Sequence, residues 1–255
     1  MKKPGWLGEF NYRPLIIIAV LVAGWQYALS GNQVSDTLAP PGPVAVALVQ
    51  MLGDGSVLQA SYETLSAALL GLALGTAIGT CIGITGGMLK PFALAIHGPV
   101  EVMRPLPAIA LVPLATIIYG LGMAMEVYVV AFAVVWPTIL LSQHAVENMD
   151  RRLLEVADAM QLDKLQRIYK IILPATLPRL VVMLRFTAAI ALLIAVTVEL
   201  VSNPRGLGNQ MMIASYDMVP AKMLAYLVVI TAIGWALNWL LLFAERHTLT
   251  GPRVS

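Results

Sequence analysis

Charge is scarce in this sequence. Only 12% of the 255 residues are Asp, Glu, Lys or Arg, against 59% hydrophobic. A soluble domain carries roughly twice that charged fraction, about 25%. A chain this apolar has no way to hide its surface from water, so a lipid bilayer is the expected solvent. Cysteine is nearly absent: Cys81 stands alone within an apolar run. That excludes an internal disulfide and zinc spacing, and leaves a small buried hydrophobe. The three histidines, His97, His144 and His247, stand too far apart for metal-ligand spacing. The signatures GxSxG, HExxH and Walker A are missing. No basic stripe with stacking aromatics marks a nucleic-acid partner. The sequence shows no catalytic site and no cofactor site of its own.

Long apolar runs are abundant. About 20 apolar residues cross a bilayer as a helix. Six runs meet that measure, near 14–30, 62–89, 92–119, 123–146, 179–201 and 223–245. They predict an all-α integral membrane protein with about six transmembrane helices, the whole of 1–255 forming one domain. Lys2 and Lys3 before the first run imitate a signal peptide. Trp25, Gln26 and Tyr27 crowd the would-be cleavage site, so the run is read as a retained span with Trp25 and Tyr27 in the outer interfacial belt. Residues 31–43, rich in proline and glycine, read as a loop. Val44–Leu52 reads as a short surface helix.

Lys and Arg concentrate on cytoplasmic segments of membrane proteins. With the N-terminus inside, Lys2, Lys3, Arg13, Lys90, Arg151, Arg152, Lys164, Arg167, Lys170, Arg179, Arg246 and Arg253 fall inside. Only Arg205 and Lys222 fall outside. Both termini, and residues 147–178, are therefore expected in the cytoplasm.

Two spans have internal structure. In the second, Gly71, Gly75, Gly79, Gly83 and Gly87 recur every fourth residue. They line one helical face and let another backbone come close. In the third, "EVMRPLPAIALVPLATIIYG" holds Pro105, Pro107 and Pro113. Proline breaks the helical ladder. Irregular backbone at membrane depth requires cover from protein or a water-filled cavity, so this span is expected inside the bundle. Four charges lie in or near spans: Glu101, Arg104, Arg185 and Glu199. A charge in hydrocarbon costs several kcal/mol unless it snorkels, pairs or meets water. Glu101 and Arg104, three apart, suit a pair on one helical face. Arg104, Pro105, Pro107, Arg185 and Glu199 are the candidate pathway residues, the arginines as attractors of an anion.

The stretch 151–180 is a polar island, with six Lys/Arg and three Asp/Glu. Asp150 stands where an N-cap stands, and Leu153, Leu154, Ala157 and Met160 recur at helical steps. A turn is expected near 161–163, then a second short helix. Pro174 and Pro178 are expected to keep that helix from merging with the fifth span.

"EVADAMQLDKLQRIYKIILP", Glu155 to Pro174, resembles the cytoplasmic EAA loop of ABC-importer permeases. Glu155 and Ala157 match the first and third positions, and Ile171, Leu173 and Pro174 match the close. Val156 replaces an alanine. Gln161 stands where that family has glycine, which implies a more helical or a strained turn. "NMDRRLLEVADAM", "RPLPAIALVPLATIIYGLG", "AVTVELVSNPRGLGNQM" and "LAPPGPVAVALVQML" resemble segments of the nitrate, sulfonate, taurine and bicarbonate branch. The resemblance implies a type I ABC importer permease in a bacterial inner membrane. It implies a second permease copy, two ATP-binding-cassette ATPase subunits that hold ATP and Mg, and an extracytoplasmic substrate-binding protein. It casts Glu155, Ala157, Asp158, Gln161, Leu162, Leu173 and Pro174 as the loop that couples to ATP hydrolysis. The implied cargo is a small anion, such as a sulfonate, taurine, nitrate, bicarbonate or aromatic carboxylate. A neutral or cationic vitamin or pyrimidine precursor is the alternative cargo. A secondary transporter is the rival machine. It needs mid-membrane carboxylates for ion coupling, and only Glu101 and Glu126 come near.

Overall fold

The computed structural model describes residues 13–29 and 38–249, all in helices and short connections. Lys2, Lys3, Arg253 and the part of the expected loop at 31–37 lie outside the described residues. Helix α1 is Arg13–Leu29, α2 Pro41–Gly53, α3 Ser56–Met88 and α4 Lys90–Met103. A 3-10 turn, Ala108–Leu111, leads to α5, Val112–Tyr119, and α6 is Met123–Glu147. Then come α7, Arg151–Ala159, and α8, Lys164–Arg167, a π-helical turn Ile168–Ile172, and α9, Leu173–Val201. Helices α10, Gly206–Tyr216, and α11, Pro220–Leu249, close the chain.

Among the described residues, four helices are long and apolar enough to cross a membrane, and the bent pair α4 and 108–119 passes the same test taken together. Helix α1, the expected first span, has 17 residues, or ~26 Å at 1.5 Å each. It meets α2 through the amide of Gly42, which donates to Gln26 Oε1 at 3.2 Å.

The glycine ladder sets the core. A Cβ placed on Gly71 would lie 2.5 Å from Val130 Cγ1, on Gly79 2.6 Å from Thr138 Cβ, and on Gly87 2.6 Å from Val146 Cβ. Each four-residue step on α3 meets a four-residue step on α6, in the same direction. Helices α3 and α6 are therefore parallel and nearly backbone to backbone. Two parallel neighbours demand that the chain between them return across the bundle. The segment 89–122 thus completes a crossing rather than turning back, although it bends by 86° at residues 104–107.

Helix α9 runs antiparallel to both. Near the loop Ser142 Oγ donates to Met183 Sδ at 3.3 Å, and Arg179 Nη1 donates to the Ala145 carbonyl at 2.9 Å. At the far end Met125, Val129 and Val198 share one apolar cluster with Ala108 and Val112. Helix α2 buries Val44, Ala47 and Met51 in a cluster that also holds Leu207, Ala214, Ala225 and Tyr226.

Two expectations on proline fail. Pro41 and Pro43 belong to α2, not to a loop, because proline fits the first turn of a helix, where an N–H has no partner. Pro174 and Pro178 do not separate the loop from the fifth span. Residues 165–201 form one apolar helical run of 37 residues. Pro174 lies inside that run, so its missing N–H leaves one rung of the ladder unmade without ending the helix. The π-helical turn before it, whose next N–H reaches back from Leu173 to the Ile168 carbonyl, widens the helix and makes room for the ring.

Candidate functional site

The polar loop is a helix, a tight turn and a second helix. Asp150 Oδ1 caps α7 by accepting the Arg152 amide at 3.0 Å. At the other end the Gln161 amide donates to the Asp158 carbonyl at 3.0 Å and Leu162 to Ala157 at 3.1 Å. This paired bond pattern is a Schellman motif, and it requires a left-handed residue at Gln161. Gln161 has φ +51°. The glutamine does not give a more helical turn; it takes the conformation that suits glycine. Asp163 Oδ1 then caps α8 by accepting the Gln166 amide at 2.7 Å, and Asp158 bonds Arg167 across the turn.

The loop is anchored at its base. Ile172 is buried with Val146 and Met149, and Ile84, Met88 and Leu154 pack on them. Ala157 is fully buried. Leu162 and Leu173 are half-buried, while Glu155, Asp158, Gln161 and Pro174 are exposed. Leu153, Val156, Met160, Leu165 and Tyr169 are exposed apolar side chains on this polar element. The seven expected coupling residues thus lie along one stretch of chain, from α7 through the turn at 160–163 to the start of α9.

The five expected pathway residues are not brought together. Arg104, Pro105 and Pro107 stand exposed at the bend. Glu101 pairs with His97, Nδ1 to Oε2 at 3.7 Å, one helical turn back, rather than with Arg104. Arg185 faces α11: its Nε donates to Asn238 Oδ1 at 2.9 Å, and its Nη1 lies 3.6 Å from Glu245 Oε2.

Glu199 is buried at the far end, within a knot the sequence did not announce. Gly208 N donates to Glu199 Oε2 at 2.8 Å, Leu207 N to Thr64 Oγ1 at 2.9 Å, and Gly206 N to Glu63 Oε2 at 3.0 Å. These are the first amides of α10, which have no partner within their own helix. Carboxylates there also meet the positive end of the helix dipole. Asn203 Nδ2 ties the knot to Glu126 Oε2. Glu126, Glu199 and Asn203 are 2%, 1% and 3% exposed. Glu63, Thr64 and Asn203 escaped sequence reading, because their partners lie up to 143 residues away. The available signal was acids near helix ends beside Gly206-Leu207-Gly208. Among the described residues, no three His, Cys, Asp or Glu are grouped to hold a metal.

Comparison with known proteins agrees with this architecture. Residues 75–249 match the family "Binding-protein-dependent transport system inner membrane component". The chain is 27% identical over 250 residues to the putative aliphatic sulfonates transport permease protein SsuC of Bacillus subtilis (strain 168), covering 97% of this chain and 90% of that one. It is 26% identical over 227 residues to the taurine transport system permease protein TauC of Escherichia coli (strain K12), covering 87% and 82%. In fold it is similar to a chain of the MetNI methionine ABC transporter in an inward-facing conformation. The TM-score is 0.69 at 19% identity, over 75% of this chain and 95% of that chain. The helical arrangement thus has the fold of a solved ABC transporter chain, and the chain belongs to the family of binding-protein-dependent transport system inner membrane components, as an ABC importer permease.

Proposed function

We propose that this permease moves a small organic anion, an aliphatic sulfonate or taurine, into the cell, driven by ATPase subunits that dock on α7. The loop end is the cytoplasmic end, since it carries most of the Lys and Arg. Both termini share that side. Two copies of the chain form the membrane core, and an extracytoplasmic binding protein delivers the cargo.

The observation that carries the docking reading is the join between loop and membrane. Helix α7 is capped at Asp150 and closed by the turn at Gln161, and 165–201 runs unbroken into the bundle. A push on α7 therefore reaches α9 through a stiff connection. The exposed apolar side chains Leu153, Val156 and Met160 on an otherwise polar helix support a protein partner there. The names of the relatives support the sulfonate class. Magnesium and ATP belong to the ATPase subunits.

The test is reconstitution of the permease with its ATPase and binding protein in vesicles. ATP-dependent uptake of ethanesulfonate or taurine is expected, and Glu155→Lys is expected to abolish uptake and weaken ATPase association. Uptake that needs no ATPase, or a Glu155→Lys transporter with full uptake, overturns the reading. Uptake of a neutral or cationic precursor instead of the sulfonates leaves the coupling and replaces the cargo.

A further inference from the structure

Helices α6 and α9 form a groove on the side away from α3. Its far half is filled by the turn Ala108–Leu111, where Ala108 and Val112 pack against Met125, Val129 and Val198. Its loop half is open, a hollow of about 640 Å³ whose lining includes Leu141, His144, Asn148, Arg179, Val182 and Phe186. Among the described residues that line it there is no carboxylate.

Two observations decide what fills it. First, the turn that fills the far half follows in the chain directly after the bend at 104–107, whose residues are exposed. Irregular backbone is not tolerated against lipid, so this side of the bundle faces protein or water. Second, Arg179 lies at the rim. One of its five N–H donors holds the Ala145 carbonyl at 2.9 Å. The Asn148 amide donates to the His144 carbonyl at 2.9 Å, which fixes the opposite wall. A guanidinium over an apolar-walled, water-reached hollow selects an ion with a negative head and a short apolar body.

We infer that the hollow between α6 and α9 is the inner vestibule through which a small organic anion leaves, and that Arg179 contacts its charged head. This rests on the anion-importer reading and adds a location and a residue to it. Arg185, by contrast, is committed to Asn238 and Glu245.

The experiment uses the complete transporter in inside-out vesicles, with Cys81→Ala removing the native thiol. Val182→Cys and Phe186→Cys are treated with 2-sulfonatoethyl methanethiosulfonate, itself a small membrane-impermeant sulfonate, and with its neutral methyl analogue. Both cysteines are expected to react from the loop side. Arg179→Gln is expected to slow the anionic reagent about fivefold, the factor for removing one charge ~4 Å away in water, and to leave the neutral reagent unchanged. Arg179→Lys is expected to restore the rate. Asn148→Asp leaves Arg179 in place and is expected to slow the anionic reagent in the same way. No reaction at either cysteine overturns the vestibule, as does an anionic rate unchanged by both Arg179→Gln and Asn148→Asp. Cellular uptake is read on the same vesicles as ATP-driven release of ethanesulfonate preloaded in the lumen with the binding protein, because their cytoplasmic face is outside. The labelling pattern without uptake keeps the vestibule and discards the sulfonate cargo; uptake without labelling does the reverse.

Discussion

Glu199 accepts the amide of Gly208 at 2.8 Å from a position where its side chain is 1% exposed. The two are nine positions apart, and between them the chain leaves α9, turns at 202–205 and enters α10. The carboxylate of one helix thus caps the next, and fixes how α10 lies across the bundle. Glu199→Ala removes this acceptor and leaves a void. It is expected to cost about 2–4 kcal/mol, read as a lowered unfolding temperature in detergent. Glu126→Gln keeps shape and hydrogen-bonding capacity beside Asn203 and is expected to cost less than Glu199→Ala in the same measurement.

Gly206 tests the same knot from the backbone side. It has φ +89°, and an added Cβ would collide with the Glu199 carboxylate. Gly206→Ala is expected to destabilise strongly. Gly98→Ala, in α4 with open space around it, is expected to be neutral or stabilising. Equal melting temperatures for the two variants contradict this account.

The parallel contact of α3 and α6 has no slack. A Cβ on Gly75 would lie 2.7 Å from the Ala131 carbonyl and 3.0 Å from Val134. Gly75→Leu or Gly79→Val forces the helices apart and is expected to cost more than the ~1–3 kcal/mol typical of overpacking, because backbone rather than a side-chain tip must move. The readout is loss of monodisperse protein on gel filtration.

Gln161 offers the opposite effect. A left-handed non-glycine residue costs roughly 1–2 kcal/mol. Gln161→Gly is expected to stabilise the loop by up to about 1 kcal/mol, after the extra chain entropy of glycine is offset. Slower amide exchange at Leu162, whose N–H closes the turn, is the direct check.

Asp54, in the turn between α2 and α3, accepts the Ser56 amide at 2.9 Å. Hydrogen bonds from Ser56 hold its carboxyl below the ordinary value of 3.8, and Lys222 adds to this. A depressed carboxyl stabilises the fold above its unfolded value and loses that effect as pH falls through the folded one. Protection of the Ser56 amide, taken relative to its intrinsic exchange rate at each pH, is therefore expected to fall only below about pH 3.8, and Asp54→Ala is expected to lack that protection at neutral pH.

Much of the fold was legible in the chain because its signals are local. Apolar runs of bilayer length, a glycine every fourth residue and an N-cap aspartate each act within a few turns of helix. The prolines were read less well. Pro174 and Pro178 look like stops, but the helix passes both, after a π-helical turn at 168–172 whose Ile172 is buried with Val146 and Met149. The loop residues sit close in sequence, so a single segment carries them all. Arg104, Arg185 and Glu199 stand out in the sequence as charges in oil, a criterion that does not distinguish a residue facing water from one facing a partner. Arg185 and Glu199 had partners 53 and 9 residues away.

The sequence by itself determined the solvent, the number of apolar runs, the kink in the third and the polar loop with its family likeness. Each follows from composition or from spacing along one helix. The tertiary structure decided which face of α3 meets α6, that the bent segment crosses the bundle, that α8 and α9 are one rod, and that Glu63, Thr64 and Glu199 cap α10. These depend on which distant side chains meet once the helices pack, and no periodicity within a single helix encodes that choice.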